Sequence, residues 1–159
     1  MITNSKLAYH EHDHQRCIDA AMARAVALCE EKKARLTQAR KDVLTLIWQN
    51  HQPLGAYRIM DLLSEKNGKR VLPPTVYRAL EFLLELGLIH RIASLNAYIG
   101  CPFPGSHHNE LFLICRQCGS AAECSAEPVS NAIVNAATHA NFQLESQSVE
   151  LMGLCPQCQ

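Results

Sequence analysis

Two Cys-x-x-Cys pairs, Cys115/Cys118 and Cys155/Cys158, contain the side chains in this sequence best suited to binding a metal. Each pair can direct two thiolates at one ion, and four thiolates form a tetrahedral zinc site. The 36 residues between the pairs exceed the spacing of a compact zinc ribbon. We therefore expect a folded unit to bring the pairs together around a structural zinc ion.

Disulfides and a redox motif are the alternative uses of these cysteines. Disulfides need an oxidising compartment, but the N-terminal sequence has no apolar signal region and the chain has no 18-residue apolar run. A thioredoxin-like motif uses one Cys-x-x-Cys, which fits two matched pairs poorly. The sequence thus favours zinc and predicts a cytoplasmic protein outside the membrane.

A second group of possible ligands lies in the middle of the chain. It combines imidazole, thiolate and carboxylate, a set that suits zinc better than iron(II) or manganese(II). Its members are His90, Cys101, His107 or His108, and Glu123. The N-terminal tract with His10, His12, His14 and Cys17 offers further donors but no preset geometry, so we expect weak zinc binding there or none. Cys29 and Cys124 are interpreted as small apolar residues.

Charge divides the sequence into two parts. Residues 15–92 contain 13 Lys and Arg against 8 Asp and Glu, whereas residues 93–159 contain one Arg against 5 Glu. The formal net charge of zero therefore hides a basic N-terminal part and an acidic, cysteine-rich C-terminal part. The basic part is the one suited to phosphate groups.

Helical periodicity dominates the basic part. It predicts helices over about 17–33, from Thr37 onward with its hydroxyl as the cap, over about 56–65, and over about 74–86. Alternation then predicts a β-hairpin that turns at residues 94–96. Short helices followed by a hairpin are the element order of a winged helix-turn-helix, with residues 74–86 as the recognition helix.

Candidate DNA contacts lie on the last two of these helices. Arg78 can make a bidentate contact to guanine, and Tyr57 can reach phosphate or base. Thr75 and Tyr77 lie beside Arg78, although Tyr77 is equally suited to core packing.

The acidic part predicts a small mixed unit. "ELFLIC" and "AAECSA" are expected to form strands, "EPVSNAIVNAATHA" a helix, and "FQLESQSVELMGLC" a strand pair or one long strand. About 60 residues bury too little surface to be secure alone, which favours a zinc staple and dimerisation through the sheet. The predicted class is α+β, a winged helix-turn-helix followed by a zinc-stapled α/β dimerisation domain.

Two other functional classes are alternatives for a chain with these metal ligands. A zinc hydrolase or deaminase needs an open metal position and a general acid/base. The deaminase order of His-x-Glu before Pro-Cys-x-x-Cys is not present, and the one HExxH pattern, at residues 10–14, lies in the N-terminal tract that has no preset geometry. We therefore expect no enzyme and no small-molecule substrate. The second alternative, a zinc-stapled interaction module without metal regulation, is not excluded by the sequence.

Four sequence runs resemble the ferric uptake regulator (Fur) family, most closely its zinc-sensing branch. They are "RLTQAR", "GAYRIMDLL", "PPTVYRALEFLLELGLIH" and "CRQCG" with "CPQC", within residues 17–158. The resemblance implies a homodimeric repressor whose zinc-loaded form binds AT-rich palindromic DNA operators of zinc uptake genes. A Fur-family sensor of iron, manganese or peroxide is the alternative. The domains implied are a tail over 1–16, a winged helix over 17–93, a hinge over 94–100 and a dimerisation domain over 101–159.

The same resemblance assigns two zinc ions to each subunit. It matches Cys115, Cys118, Cys155 and Cys158 to the structural site, and His90, Cys101, His108 and Glu123 to the sensory site. His108 is preferred to His107 because it lies seven residues before Cys115. Where iron sensors have several alternating histidines, this chain has Glu110, which argues against iron sensing. Tyr57 and Arg78 match positions where the family contacts DNA.

Overall fold

The computed structural model describes residue 9 and residues 13–49, 51–105 and 110–159. The chain divides into two compact units. Described residues from 13 to 105 form the first, and Tyr9 with residues 110–159 forms the second. The basic residues of the sequence lie mainly in the first unit, and the two Cys-x-x-Cys pairs lie in the second.

Four helices build the first unit: α1 (His14–Glu31), α2 (Gln38–Trp48), α3 (Ala56–Asn67) and α4 (Pro73–Glu85). Helix α1 begins at His14, inside the predicted tail, because the Asp13 carboxylate caps it by accepting from the Gln15 N–H at 2.9 Å. Thr37 occupies the N-cap position of α2, but its side chain makes no capping hydrogen bond to the described helix, so that expectation was wrong.

A β-hairpin completes this unit. Strand β1 (Ile89–Ile92) pairs antiparallel with β2 (Ala97–Gly100), and Asn96 closes the turn with a φ of 46°. Residues 97–100, which lie within the hinge predicted over 94–100, therefore belong to a paired strand. Leu54 also bridges to Tyr98, which attaches the hairpin to the segment before α3.

The core of the first unit contains the predicted apolar faces of its helices. Val43, Ile47, Ile59 and Leu83 are each 1% exposed or less. They pack in one cluster with apolar residues of α1 and β1. Burial of this shared face holds α3 and α4 in fixed positions, leaving the opposite face of α4 exposed.

The second unit is a three-stranded sheet with one helix. Its strands are β3 (Glu110–Cys115), β4 (Ala121–Cys124) and β5 (Ser148–Gly153), in the order β4-β3-β5, and α5 (Glu127–His139) lies between β4 and β5 in sequence. Strand β4 runs antiparallel to β3, and β5 runs parallel to it. A parallel neighbour requires a crossover connection, which α5 provides.

The predicted strands and helix of this unit are confirmed, with one difference. The last segment forms one six-residue strand over 148–153, whereas residues 142–147 are not strand. Neither a strand pair nor one long strand is therefore correct. Among the residues that the structure describes, no helix combines the length and apolarity needed to cross a membrane.

Candidate metal centres and nucleic-acid interface

The parallel pairing of β3 and β5 brings the two Cys-x-x-Cys pairs together. Cys115 is the last residue of β3 and pairs with Gly153, the last residue of β5. Because parallel strands end at the same edge of a sheet, the loops that follow them are neighbours. The first loop contains Cys118, and the second contains Cys155 and Cys158.

The ligand atoms of these four cysteines all lie within 4.8 Å of one another. A tetrahedron with metal–sulfur bonds of about 2.3 Å has sulfur–sulfur edges of about 3.8 Å. The Sγ atoms of Cys118 and Cys155 lie 3.7 Å apart, close to that edge. All eight cysteines of the chain are free thiols, so the arrangement fits zinc and contains no disulfide.

Local hydrogen bonds shape the first loop. The Cys115 N–H donates to the Ser120 carbonyl at 2.8 Å, and the Gly119 N–H donates back to the Cys115 carbonyl at 2.9 Å. Gly119 has a φ of 74°, which a side chain would strain. This tight turn points the two thiols of the pair at one position.

The thiols of the cluster differ in their ease of ionisation. Hydrogen bonds from the backbone at Cys118, and next at Cys155, lower the pKa of Cys115 to about 6. A hydrogen bond with the Ser120 side chain lowers the pKa of Cys118. In contrast, the neighbouring Cys155 side chain raises the pKa of Cys158 to about 12. A divalent cation would offset the repulsion that opposes four adjacent thiolates.

A second pair of donors lies on the hairpin of the first unit. His90 is in β1 and Cys101 directly follows β2, and the ligand atoms of the two residues lie within 4.8 Å of each other. The Cys101 N–H donates to the Leu88 carbonyl at 3.0 Å, which continues the ladder and fixes the position of the cysteine. Both side chains are buried, at 7% and 1% exposure. Imidazole and thiolate together form a site suited to zinc.

The two other predicted sensory ligands belong to the second part of the chain. Glu123 lies in β4 opposite Phe112 and is 6% exposed. A buried carboxylate is costly unless it is paired or binds a metal, which is consistent with a ligand role. His108 and its rival His107 lie outside the described residues.

The predicted DNA contacts are all exposed. Tyr57, in the first turn of α3, is 72% exposed, and Thr75 and Arg78 are exposed near the start of α4. Tyr77 is 42% exposed, which argues against the core position that the sequence had left open. An exposed arginine near the start of the second helix of a helix-turn-helix can enter a major groove.

A family model described as "Ferric uptake regulator family" matches residues 31–152, most of both units. The chain belongs to this family. Ferric uptake regulator family proteins are transcription regulators, so the chain is not an enzyme.

Relatives and solved structures from the family are similar to this chain in sequence and in fold. The "Zinc uptake regulation protein" of Escherichia coli (strain K12) is 38% identical over 138 residues, covering 86% of this chain and 80% of the relative. The solved structure "Zinc Uptake Regulator Complexed With Zinc AND DNA" is 34% identical with a TM-score of 0.80, covering 92% of this chain and 95% of that one. "Crystal structure of holo XcZur" gives 38% identity and a TM-score of 0.76, covering 86% and 96%.

The sequence did not predict a role for one residue that lies beside the cysteine cluster of this Fur-family chain. Tyr9 belongs to the second unit, and its hydroxyl donates to the Leu113 carbonyl at 2.7 Å. Burial raises the pKa of Tyr9 to about 12, which keeps the donor protonated. Nothing in a lone tyrosine within a polar N-terminal stretch signals such a contact.

The remaining metal-binding candidates of the sequence have mixed outcomes. His10 and His12 lie outside the described residues. His14 is the first residue of α1, and its ring centroid lies 5.1 Å from that of His51. Cys29 and Cys124 are buried, at 3% and 4% exposure, as expected for small apolar residues.

Proposed function

We propose that this chain is a zinc-responsive transcriptional repressor. Its zinc-loaded homodimer binds AT-rich palindromic operators of zinc uptake genes and blocks their expression. The observation that carries the proposal is that His90 and Cys101 are both buried and that their ligand atoms lie within 4.8 Å of each other in the proposed DNA-binding unit. A thiolate ligand favours zinc over iron(II) or manganese(II). The relative from Escherichia coli and the zinc–DNA complex support the same function.

Two zinc ions bind each subunit in this proposal, and the first has a structural role. Cys115, Cys118, Cys155 and Cys158 hold it and tie the ends of β3 and β5 together. The small sheet gains stability because bound zinc favours the folded state over the unfolded one. Unlike a catalytic site, a complete Cys₄ set leaves no position for substrate.

The second zinc ion is the regulatory one. His90 and Cys101 supply two ligands from the DNA-binding unit, and His108 and Glu123 supply the others from the dimerisation unit. The hairpin ladder holds His90 and Cys101 in place, so their ligand atoms need little rearrangement to bind. When bound, the ion supplies a cross-link among these four side chains.

Regulation follows from this division of the ligands between units. Ligation would select one orientation of the DNA-binding units in the dimer, because only that orientation completes the ligand set. Moving a two-state population from 1:99 to 99:1 needs about 5.5 kcal/mol of differential binding. Four ligand bonds to zinc can supply a difference of this size, since structural zinc sites contribute about 10–16 kcal/mol.

The proposed DNA contact surface consists of Tyr57, Thr75, Tyr77 and Arg78. These exposed residues lie at the starts of α3 and α4. Arg78 makes the guanine contact, and the tyrosines and Thr75 contact phosphate or base edges. The two-fold symmetry of a homodimer matches the symmetry of a palindromic operator.

Operator binding with three metals tests the proposal. Fluorescence anisotropy on a palindromic AT-rich duplex would be measured with zinc, iron(II) or manganese(II) at equal buffered free concentrations and fixed salt. Zinc alone is expected to activate binding. Activation by iron(II) or manganese(II) instead would assign the chain to another branch of the Fur family. Binding that no metal affects would indicate a zinc-stapled module without metal regulation.

A further inference from the structure

We propose that Tyr9 and Gln157 form a strap that covers the cysteine cluster and slows the release of its metal. The proposal rests on the structural zinc site described above. It assigns a role to an N-terminal residue that lies far from the cluster in sequence, 106 positions before Cys115.

Two hydrogen bonds hold Tyr9 on the second unit. Its hydroxyl donates to the carbonyl of Leu113, two residues before Cys115 in the central strand β3. Its own carbonyl accepts from the side-chain amide of Gln157, which lies between Cys155 and Cys158. One residue is therefore fastened both to the strand that leads into the first cysteine pair and to the loop of the second pair.

The tyrosine forms part of the wall of a groove beside the cluster. This groove has a volume of about 490 Å³, and Cys115, Cys155 and Pro156 line it together with Tyr9. Cys115 and Cys155 are 2% and 4% exposed with Tyr9 in position, whereas Cys118 and Cys158 are only half-buried. Tyr9 thus lies where it can shield the better-protected thiol of each pair.

Such a cover would slow metal release by limiting access to the sulfur atoms. Zinc leaves a Cys₄ site when a competing ligand or a proton reaches a sulfur, so a tyrosine in the same groove as two of the four cysteines would slow the exchange. Reaction of the cysteines with alkylating agents depends on the same access. Both rates should increase when the ring is removed.

The experiment compares full-length protein with Tyr9→Ala, Tyr9→Phe and the matched control Phe142→Ala. Phe142 is an aromatic residue of the same unit that is 65% exposed and not among the groove residues. Zinc-loaded proteins are mixed with an excess of a chromogenic chelator, and the release rate of the tightly held zinc is recorded. Alkylation of Cys115 and Cys155 is followed in parallel by mass spectrometry.

We expect Tyr9→Ala to accelerate release about tenfold, the low end of the effect of removing groups that support metal ligands. Tyr9→Phe keeps the ring and loses only the hydroxyl contact, so a smaller acceleration is expected, and Phe142→Ala should match the wild type. Alkylation should accelerate at Cys115 and Cys155 more than at Cys118 and Cys158.

Three results would contradict these expectations in different ways. Wild-type release and alkylation rates in Tyr9→Ala would overturn the strap and leave the structural zinc intact. Equal acceleration by Phe142→Ala would show a general loss of stability instead of exposure. A wild-type protein without tightly held zinc would overturn the structural site itself, which the zinc content before mixing reports separately.

Discussion

The sulfur atoms of Cys118 and Cys155 lie 3.7 Å apart although the residues are 37 positions apart in sequence. The parallel pairing of β3 with β5 creates this proximity, because both strands end at the edge where the cysteine loops begin. The sheet topology therefore determines the proposed metal site, and loss of a bound metal should in turn weaken the sheet.

Cys155→Ser is expected to remove the structural zinc and destabilise the second unit. A serine hydroxyl is a poor zinc ligand, and three thiolates bind far more weakly than four. Metal analysis should find about one zinc fewer per chain, and thermal unfolding should begin at a lower temperature. Cys17→Ser, which changes a half-buried cysteine outside the cluster, is the control and should keep both properties. Retention of the zinc by Cys155→Ser would exclude the four-cysteine assignment.

Cys101→Ser is expected to separate the two proposed zinc sites. The fold and the structural zinc should be preserved, because Cys101 directly follows the hairpin and does not belong to the cysteine cluster. Zinc-dependent operator binding should weaken at least about tenfold, or roughly 1.4 kcal/mol. The measurement is anisotropy at limiting free zinc, again with Cys17→Ser alongside. Wild-type affinity in Cys101→Ser would refute the sensory assignment.

Arg78→Ala is expected to weaken operator binding by about 1–3 kcal/mol, the usual contribution of a bidentate arginine–guanine contact. The reduction should be largest on the specific operator and smaller on unrelated DNA, since a base contact carries sequence information. Arg16→Ala is a suitable control because the Arg16 side chain is 88% exposed on α1, which is not one of the proposed contact helices. Equal weakening on both duplexes would instead make Arg78 a phosphate contact.

Gly100→Ala is expected to destabilise the first unit by about 1–3 kcal/mol, the usual cost of overpacking a core. A β-carbon at residue 100 would lie 2.2 Å from the Trp48 ring, so the ring must move. Urea unfolding followed by far-UV circular dichroism measures the cost, because Trp48 is the only tryptophan in the sequence and its replacement would remove a fluorescence signal. The cost of Gly100→Ala should be smaller in a Trp48→Phe background, because the phenylalanine ring is smaller. An unchanged midpoint for Gly100→Ala would mean that the close packing is absent in solution.

Lys66→Met is expected to lower the free energy of unfolding by about 1 kcal/mol. Lys66 on α3 and Asp42 on α2 form an ion pair at 2.7 Å, and the Asp42 side chain is only 12% exposed. Removing the lysine leaves a largely buried carboxylate with weaker compensation. Urea unfolding would be compared with that of Lys69→Met, an exposed lysine just beyond α3. Equal midpoints for the two variants would make the pair energetically neutral.

Local sequence signals predicted most of the helices and the hairpin correctly. Apolar periodicity located α2 to α4, and the turn residues around Asn96 located the hairpin, because these features depend on residues that are close together in the chain. The cysteine cluster was also predictable, since the chemistry of a Cys₄ site is apparent from its spacing.

Features that depend on distant residues were not predictable in the same way. The alternation of apolar residues could not specify that β5 is short and parallel to β3, because the pairing partner of a strand depends on the whole sheet. The packing of Trp48 on Gly100 and the contact of Tyr9 with Leu113 likewise involve residues far apart in sequence.

The most direct test of the central claim is a titration of operator binding against buffered free zinc, using protein that already holds one structural zinc per chain. Anisotropy is recorded at fixed salt, and bound zinc is counted at each point. The proposed mechanism predicts that operator affinity increases steeply as a second zinc per chain binds. Constant operator affinity across the whole zinc range, with the structural zinc in place, would contradict it.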